Sequence, residues 1–96
     1  MLILATYDVN TTTPEGRKRL RQIATACLNY GQRVQFSVFE CLVGPEQLVL
    51  LRRDLLRILN PREDSLRIYM LDEAARQRIE HYGTKPPIDF EEPLIV

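Results

Sequence analysis

The chain has 96 residues and a mass of 11.2 kDa, which is enough for one hydrophobic core and excludes a second independent domain. Apolar residues make up 45% of the sequence and charged residues 27%, a composition that predicts a folded chain and excludes extensive disorder. Thirteen basic and thirteen acidic residues give a net charge of zero, so overall charge provides no argument for a nucleic-acid or membrane partner. The low net charge also favours self-association.

Neither the N-terminus nor the cysteines indicate an exported protein. The opening apolar run lacks a basic flank and a cleavage pattern, and no stretch approaches the roughly 18 to 20 apolar residues of a membrane span. Cys27 and Cys41 belong to no CxxC pair and no metal-ligand spacing, so both are predicted to be small buried apolar groups. We therefore expect a soluble cytoplasmic protein with no membrane partner, no structural zinc and no disulfide framework.

A central strand and a long helix are predicted for the first 30 residues. Residues 2–9 are almost continuously apolar, which is typical of a strand covered on both faces. Thr13 suits the N-cap of a helix and Pro14 its first position, and Gly31 suits a C-terminal cap. A helix over 14–30 follows, because its apolar residues have the spacing of one buried face. These residues are Leu20, Ile23, Ala24, Cys27 and Leu28.

Residues 33–43 have the composition of a strand, but their alternation changes phase. Apolar residues occupy even positions up to Val38 and odd positions from Phe39 onward. A single regular strand cannot place both sets on the same face. The pattern predicts a bend, a bulge or a tight reversal near Ser37 and Val38.

A second helix and a further strand complete the domain. Gly44 and Pro45 open the helix, which is predicted to end at Asn60 before Pro61, and residues 64–71 alternate as a strand. If residues 33–43 form two strands, the order is β-α-β-β-α-β. This is the order of a ferredoxin-like α+β sandwich, with both helices on one face of an antiparallel sheet. The apolar face of the second helix consists of Leu48, Leu51, Leu55, Ile58 and Leu59.

The second sheet face needs a cover that the predicted helices do not supply. A second copy of the chain, packed sheet against sheet around a two-fold axis, is the economical solution, so we expect a homodimer. Residues 1–83 form the predicted domain. Residues 84–96 form a tail that ends in apolar residues, and we expect it to dock on the dimer, on a sheet edge as an extra strand, or on a partner.

Asp8 places an ionisable group at the end of the apolar first strand, where a buried carboxylate is costly unless it is paired or bound to a cation. One interpretation is local, because Asp often bonds its own following backbone and Asn10 lies two positions later. The other uses the predicted dimer. If the strand lies near the two-fold axis, Asp8 and its symmetry mate converge, and two carboxylates with waters form a site suited to Mg²⁺ or Mn²⁺.

Positive charge is concentrated between Gly16 and Phe39, where the chain carries five basic residues and no acidic one. Two of them, Arg17 and Arg21, lie four positions apart near the start of the first helix, and together they predict a fork of guanidinium groups that grips a phosphate backbone. A solvated helical face is the alternative. The five residues are Arg17, Lys18, Arg19, Arg21 and Arg33.

Aromatic residues and the single histidine give weaker indications. Tyr7, Phe36 and Phe39 are able to stack on bases, but their strand positions favour packing in the core. His81 has no nucleophile or ligand partner nearby in the sequence, so a surface or packing role is favoured over a general base.

Four segments of the chain form a recognisable combination. They are LATYDV at 4–9, RKRL at 17–20, NYG at 29–31 and RVQFSVFEC at 33–41. The most specific part is a strand ending in Tyr-Asp-Val with a downstream Arg-Val-Gln-x-Ser-Val-Phe-Glu segment. Together they resemble the CRISPR-associated endonuclease family Cas2, over nearly the whole chain. The C-terminal segments GTKPP at 83–87 and PLI at 93–95 are similar to the subgroup found with type I-C systems.

The resemblance implies a ferredoxin-like homodimer with a role in CRISPR spacer acquisition. The family is reported to act as a metal-dependent endonuclease on RNA or double-stranded DNA, and to bridge dimers of the larger CRISPR integrase. The family's metal aspartate matches Asp8, and its implicated arginines match Arg17, Arg19 and Arg33. The residues expected to support them are Tyr7, Ser37 and Phe39.

Three functions are compatible with these residues. In the first, paired Asp8 carboxylates hold Mg²⁺ for phosphodiester cleavage of double-stranded DNA or single-stranded RNA, while the arginines position the backbone. In the second, the same arginines hold duplex phosphates in a non-catalytic scaffold of the integrase complex. The third is a toxin-type ribonuclease of related fold, outside a CRISPR setting.

Overall fold

The computed structural model describes residues 1–84 of the chain. The predicted C-terminal tail therefore lies, apart from Thr84, outside the described residues. Among residues 1–84 no helix combines the length and apolar character needed to cross a bilayer. The elements of this part of the chain are β1 (Leu2–Asp8), α1 (Pro14–Leu28), β2 (Gly31–Gln35), β3 (Val38–Leu42), α2 (Pro45–Ile58), β4 (Ser65–Leu71) and the short α3 (Glu73–Gln77).

The four strands form one antiparallel sheet in the order β2-β3-β1-β4. The central strand is β1, where Leu4 lies opposite Glu40 of β3 and Tyr69 of β4. The predicted reversal occurs between Gln35 and Val38, and the β2–β3 register also shifts at this end of β2. The β-α-β-β-α-β order of a ferredoxin-like sandwich is thereby confirmed, with α3 following β4.

The core lies between one face of the sheet and the helices α1 and α2. Alternate residues of β1 are buried in it, including Ile3, Ala5 and Tyr7, because successive side chains of a strand point to opposite faces. The predicted apolar face of α2 is also confirmed, since Leu48, Leu51 and Leu55 are buried. The largest completely buried side chains are Phe39, Ile3, Ile23, Leu51, Leu55, Cys27 and Cys41.

Both cysteines are free and buried, as predicted. The Sγ atom of Cys41 lies 3.9 Å from the backbone oxygen of Cys27. Burial, and secondly the proximity of Cys41, raises the pKa of Cys27 to about 12. The pKa of Cys41 is likewise raised to about 12 by burial, with a smaller effect from Glu40. Both thiols are therefore neutral and serve as core-packing groups.

The start of α1 is as predicted, but its end differs. Thr13 is the N-cap and its Oγ1 accepts a hydrogen bond from the Gly16 N–H at 3.1 Å. The helix stops at Leu28, two residues earlier than expected, and Leu28 is 39% exposed. Gly31 is the first residue of β2 and not a C-terminal cap. A Cβ atom at Gly31 would lie 2.0 Å from the Glu40 backbone oxygen, so close strand approach explains this glycine.

The opposite face of the sheet is only partly covered by the described residues. The segment 79–82, which follows α3, lines a groove on this face together with Leu4, Val34 and Val38. Tyr69 of β4 remains 44% exposed. This exposed apolar surface still needs a cover, and the homodimer stays a prediction.

Candidate active site

Asp8 is the last residue of β1 and lies opposite Ser65 at the start of β4. Its side chain is exposed at the edge of a depression with a volume of about 330 Å³. Ser37 from the β2–β3 reversal and Ser65 supply hydroxyl groups to this depression, and Arg67 supplies a positive charge. The topology thus brings oxygen donors from three strand ends to one place.

The Asp8 carboxylate is not used by the local turn that follows it. Asn10 makes that turn, because its Oδ1 accepts hydrogen bonds from the Thr12 N–H at 3.0 Å and from the Thr12 hydroxyl at 2.7 Å. Among residues 1–84 no side chain forms a hydrogen bond or ion pair with Asp8. The carboxylate is therefore available to a ligand.

The oxygen atoms around Asp8 are of the kind that bind a hard divalent cation, but one protomer supplies too few of them for a complete ligand set. Mg²⁺ and Mn²⁺ prefer oxygen ligands such as carboxylates, hydroxyls and water. Residues 1–84 contain no group of three or more His, Cys, Asp or Glu side chains that could hold a metal. One protomer offers a single carboxylate beside the hydroxyls of Ser37 and Ser65. The metal site, and its completion by a second copy, stay predictions.

Arg67 is a candidate residue that the sequence analysis did not select. It lies on β4 opposite Thr6 of β1, and its Nη1 donates a hydrogen bond to the Tyr69 hydroxyl at 3.3 Å. Arg67 and Asp8 line the same depression. The alternation of residues 64–71 separates Arg67 from Leu66 and Ile68, but only the β1–β4 register shows that the face carrying Arg67 adjoins Asp8.

Arg19 occupies a different environment from the one predicted. Its side chain is only 14% exposed, and its Nε donates to Asp64 Oδ2 at 2.8 Å. Its Nη2 donates to Asp64 Oδ1 at 3.2 Å and to Glu63 Oε2 at 3.1 Å. Arg19 is therefore not an exposed basic residue free to grip a phosphate, because two carboxylates of the α2–β4 connection enclose its guanidinium group.

Asp64 is the buried member of this ion pair, with a side-chain exposure of 0%. Burial by itself raises the pKa of a carboxyl group. In Asp64 the hydrogen bonds from Arg19 and from the backbone N–H groups of Asn60 and Asn10 outweigh burial and lower the pKa below 3.8. The carboxylate is thus charged at neutral pH and well satisfied by hydrogen bonds.

The other basic residues of α1 lie in two separate regions. Arg17 is exposed, and its Nη1 donates to the Thr11 backbone oxygen at 3.2 Å, in the loop that follows Asp8. Lys18 and Arg21 line a groove of about 560 Å³ between α1 and α2, together with Arg57. The predicted fork of Arg17 and Arg21 is therefore divided between the loop and the groove.

Arg33 lies beside two aromatic rings at the hairpin end of the sheet. Its guanidinium carbon is 5.5 Å from the centre of the Phe36 ring and 5.1 Å from the centre of the Phe39 ring, which are cation–π distances. Tyr7 and Phe39 are buried, as predicted, whereas Phe36 is 71% exposed. The expectation of core packing is thus wrong for Phe36, because this residue occupies the turn and not a strand.

Tyr7 connects the aromatic cluster to the β2–β3 reversal. Its backbone N–H donates to the Ser37 backbone oxygen at 3.1 Å, and its hydroxyl donates to the Phe36 backbone oxygen at 3.5 Å. Burial raises the pKa of the Tyr7 hydroxyl, although Arg33 acts in the opposite direction. The residue before Asp8 is therefore held by the same turn that supplies Ser37.

His81 is exposed and lines the groove on the open sheet face, beside Glu40. It is not among the residues that line the Asp8 depression. Its placement agrees with the surface role favoured from the sequence.

Comparison with known proteins identifies the family. The family model described as CRISPR associated protein Cas2 matches residues 1–79. The chain belongs to the Cas2 family. The matched range includes Asp8, the basic residues of α1 and the whole sheet. The resemblance noted in the sequence is thus confirmed at the level of the family.

Two curated relatives match the chain over nearly its full length. The protein named CRISPR-associated endoribonuclease Cas2 from Chlorobaculum tepidum is 59% identical over 96 residues, which is 100% of both chains. The protein named CRISPR-associated endonuclease Cas2 from Halalkalibacterium halodurans is 54% identical over 95 residues, which is 99% of both chains. The chain therefore has the length of these Cas2 proteins.

Solved structures agree with the fold. The crystal structure of Streptococcus pyogenes Cas2 at pH 6.5 superposes with a TM-score of 0.76 and 51% identity, covering 86% of this chain and 100% of that one. A Thermus thermophilus protein named TT1823 superposes with a TM-score of 0.72 and 34% identity, covering 90% of this chain and 94% of that one. The fold described above is thus shared with the Streptococcus pyogenes Cas2 structure and with TT1823.

Proposed function

We propose that this chain is a metal-dependent endonuclease of CRISPR spacer acquisition, active as a homodimer, in which Asp8 of each protomer is the metal ligand and catalytic residue. The observation that carries the proposal is the exposed Asp8 carboxylate, unpartnered among residues 1–84, at the end of the central strand. The family match and the names of the two relatives support nuclease chemistry. They also argue against a toxin-type ribonuclease outside a CRISPR setting.

The homodimer is required by the proposal because one protomer supplies one carboxylate. The open sheet face adjoins Asp8, and it presents Tyr69 and the partly buried Leu4 and Val38 to a partner. Packing two such faces around a two-fold axis buries apolar surface and allows two copies of the same site to meet. Light scattering at micromolar concentration tests this step, and a stable monomer would contradict it.

The chemistry proposed for the site is hydrolysis of a phosphodiester bond. A divalent cation bound there would lower the pKa of a water ligand and neutralise charge that develops on the phosphate. Asp8 supplies the negative charge that such a cation requires, and the hydroxyls of Ser37 and Ser65 can hydrogen-bond to water or to phosphate oxygens. Arg67 places a positive charge beside the scissile group.

The exposed arginines around the site are the proposed contacts to nucleic acid. Arg17, Arg33 and Arg67 are each exposed, and each lies on an element that borders the β1 end carrying Asp8 or the adjacent hairpin. Such contacts hold phosphates and carry little sequence information. The expected substrates are single-stranded RNA and double-stranded DNA, without strong sequence preference.

A non-catalytic scaffold in complex with the larger CRISPR integrase is the second candidate. The groove between α1 and α2 favours it, because Lys18, Arg21 and Arg57 line this groove away from Asp8, with Asp54 as its single acidic residue. These cations can hold duplex phosphates without any cleavage. In this function the Asp8 carboxylate is dispensable.

A nuclease assay distinguishes the two functions. Purified wild type is incubated with labelled RNA and with duplex DNA, in Mg²⁺, in Mn²⁺ and in chelator, beside Asp8→Asn. Asn keeps the shape of the side chain and removes the charge that a hard cation requires. We expect cleavage by wild type with metal and none by Asp8→Asn.

Asp72→Asn is the matched control for loss of a carboxylate. Asp72 caps α3 by accepting a hydrogen bond from the Ala75 N–H at 2.7 Å, and Asn caps a helix equally well. This variant should cleave like wild type. Full activity of Asp8→Asn would reject Asp8 as the ligand, whereas duplex binding without cleavage by wild type would favour the scaffold.

A further inference from the structure

One buried carboxylate joins three parts of the chain next to the proposed active site. Asp64 Oδ1 accepts hydrogen bonds from the Asn10 N–H at 3.1 Å and from Arg19 Nη2 at 3.2 Å. Its Oδ2 accepts from Arg19 Nε at 2.8 Å and from the Asn60 N–H at 2.9 Å. The side chain has no exposure to solvent. Asp64 thus binds the loop after β1, the helix α1 and the end of α2 to one another.

Asp64 is connected to Asp8 in two ways, through the loop after β1 and through the start of β4. Asn10, whose N–H is held by Asp64, comes two residues after Asp8 in the chain. Ser65, the residue after Asp64, is the partner of Asp8 in the β1–β4 register. The strand end that carries Asp8 and the strand end opposite it are therefore both tied to the same carboxylate.

Contacts with α1 also restrict the loop that Asp64 holds. A Cβ atom at Gly16 of α1 would lie 1.8 Å from the Asn10 backbone oxygen, so the helix approaches the loop as closely as a glycine permits. Arg17 also holds the Thr11 backbone oxygen at 3.2 Å. The loop is thus fixed between α1 and the connection that carries Asp64.

These contacts conflict with a direct role of Arg19 in binding phosphate. Its Nε and Nη2 atoms are already donors to Asp64 and Glu63, and its side chain is 14% exposed. A phosphate that took over these donors would leave the Asp64 carboxylate buried without its cation, which is strongly unfavourable. Arg19 is therefore better placed to support the site than to contact its substrate.

We propose that Arg19 and Asp64 are positioning residues, which hold the backbone at Asn10 and thereby set the place of the Asp8 carboxylate for cation binding and cleavage. This inference rests on the proposed function of Asp8. A displacement of about 1 Å at a reacting group can reduce a rate by about 10²-fold, so loss of this ion pair acts on catalysis without any contact to nucleic acid.

The variants for the test are Arg19→Ala, Arg19→Lys, Asp64→Asn and the double variant Arg19→Ala/Asp64→Asn. Lys keeps the positive charge but cannot supply the paired Nε and Nη2 donors. Asn keeps the shape of the Asp64 side chain, but its NH₂ group replaces one of the two acceptor oxygens and faces N–H donors. Arg53→Ala is the matched control, because Arg53 forms an exposed ion pair with its neighbour Asp54 at 3.1 Å.

Cleavage rates and binding are measured well below the melting temperature of each variant. We expect kcat to fall by about 10- to 100-fold in each single variant, with KM and the salt dependence of nucleic-acid binding unchanged. Since Arg19 and Asp64 act as one unit, the double variant should lose no more than the more affected single variant. Arg53→Ala should retain the wild-type kcat.

Two readouts do not depend on cleavage. Hydrogen exchange at the Asn10 amide should accelerate by about 10-fold or more in Arg19→Ala, while the amide of Ala5 in the centre of β1 stays protected. The concentration of Mn²⁺ that half-saturates the protein, measured by electron paramagnetic resonance, should rise in Arg19→Lys. If Asp64→Asn does not fold, the two Arg19 variants still decide the result.

Each alternative gives a distinct result. A salt slope reduced by about 0.9 in Arg19→Ala, and restored in Arg19→Lys, would show a phosphate contact and overturn the inference. Wild-type kcat and wild-type Mn²⁺ affinity in folded variants would show a role in stability alone and also overturn it. If wild type neither cleaves nor binds Mn²⁺ through Asp8, the proposed function fails and the inference fails with it, and the comparison of wild type with Asp8→Asn reveals that outcome without any Arg19 or Asp64 variant.

Discussion

Tyr7 stacks against Phe39 in the core, with ring centroids 6.2 Å apart and ring planes 20° from parallel. Tyr7 is followed directly by Asp8, so the aromatic pair fixes the last buried residue before the proposed ligand. Phe39 is completely buried, whereas Phe36, three residues earlier, is 71% exposed. The same short segment thus supplies one aromatic residue to the core and one to the surface.

Replacement of Phe39 should therefore destabilise the protein far more than replacement of Phe36. Phe39→Ala removes a buried ring and leaves a cavity, which costs about 3 to 5 kcal/mol of unfolding free energy. Phe36→Ala removes an exposed ring and should change the unfolding free energy by less than about 0.5 kcal/mol. Denaturant unfolding of the two variants beside wild type measures the difference. Equal losses would contradict the burial described for these residues.

Gly16→Ala tests the close contact between α1 and the loop after β1. Alanine favours a helix over glycine by about 1 kcal/mol, so an open site would be stabilised. At Gly16 the new Cβ atom would lie 1.8 Å from a backbone oxygen that cannot move freely, and we expect a net loss of about 1 to 3 kcal/mol.

Gly44→Ala is the matched control for that variant. The nearest atom to a Cβ at Gly44 is a flexible Gln47 side-chain oxygen at 3.9 Å, and the backbone there is extended with φ of −80°. Gly44 is the N-cap of α2, where alanine is less favourable than glycine, so this variant should lose less than about 1 kcal/mol. A Gly16→Ala protein that is as stable as wild type would show that the loop adjusts freely.

The Arg19–Asp64 pair predicts a defined dependence of stability on pH. The pKa of Asp64 is lower in the folded state than its ordinary value of 3.8. Asp64 therefore contributes stability above about pH 4, and this contribution is lost as the pH falls through the folded-state pKa. We expect the difference in unfolding free energy between wild type and Asp64→Asn to be largest near neutral pH and to shrink below about pH 4. A constant difference over this range would reject a charged, hydrogen-bonded Asp64.

The cysteines should be unreactive in the folded protein. Their pKa values of about 12 leave almost no thiolate at pH 8, and both side chains are buried. Iodoacetamide at pH 8 should modify neither Cys27 nor Cys41 in native protein, and should modify both in urea. Mass spectrometry of the two samples checks this. Rapid labelling of native protein would mean that the core opens readily.

Arg17→Ala separates nucleic-acid binding from folding. Arg17 is exposed, and among residues 1–84 its side chain makes one hydrogen bond, to the Thr11 backbone oxygen, so the melting temperature should change little. If Arg17 neutralises one phosphate, the variant should weaken binding to all duplexes and reduce the salt slope by about 0.9 per protomer. An unchanged slope would assign Arg17 to the loop alone.

Local signals in the sequence were sufficient for the elements of the fold. Thr13 and Pro14 predicted the start of α1 correctly, because a helix N-cap depends on residues within one turn. The phase change in residues 33–43 predicted the reversal between β2 and β3, because alternation reports directly which face a residue occupies. The ferredoxin-like order and the buried face of α2 followed from the same kind of pattern.

Contacts between distant residues decided the rest, and no local pattern encodes them. In the sequence Arg19 resembles a basic surface residue, but the fold brings Asp64, 45 positions later, within 2.8 Å of it. In the sequence Gly31 resembles a helix cap, but in the fold β3 passes so close that only a hydrogen atom fits in place of a side chain. Arg67 joins the candidate site only through the β1–β4 register. Asp8 could be selected from the sequence because a charged residue ending an apolar strand is conspicuous. Its neighbours Ser65 and Arg67 could not, because they come from β4, which meets the end of β1 only when the sheet is assembled.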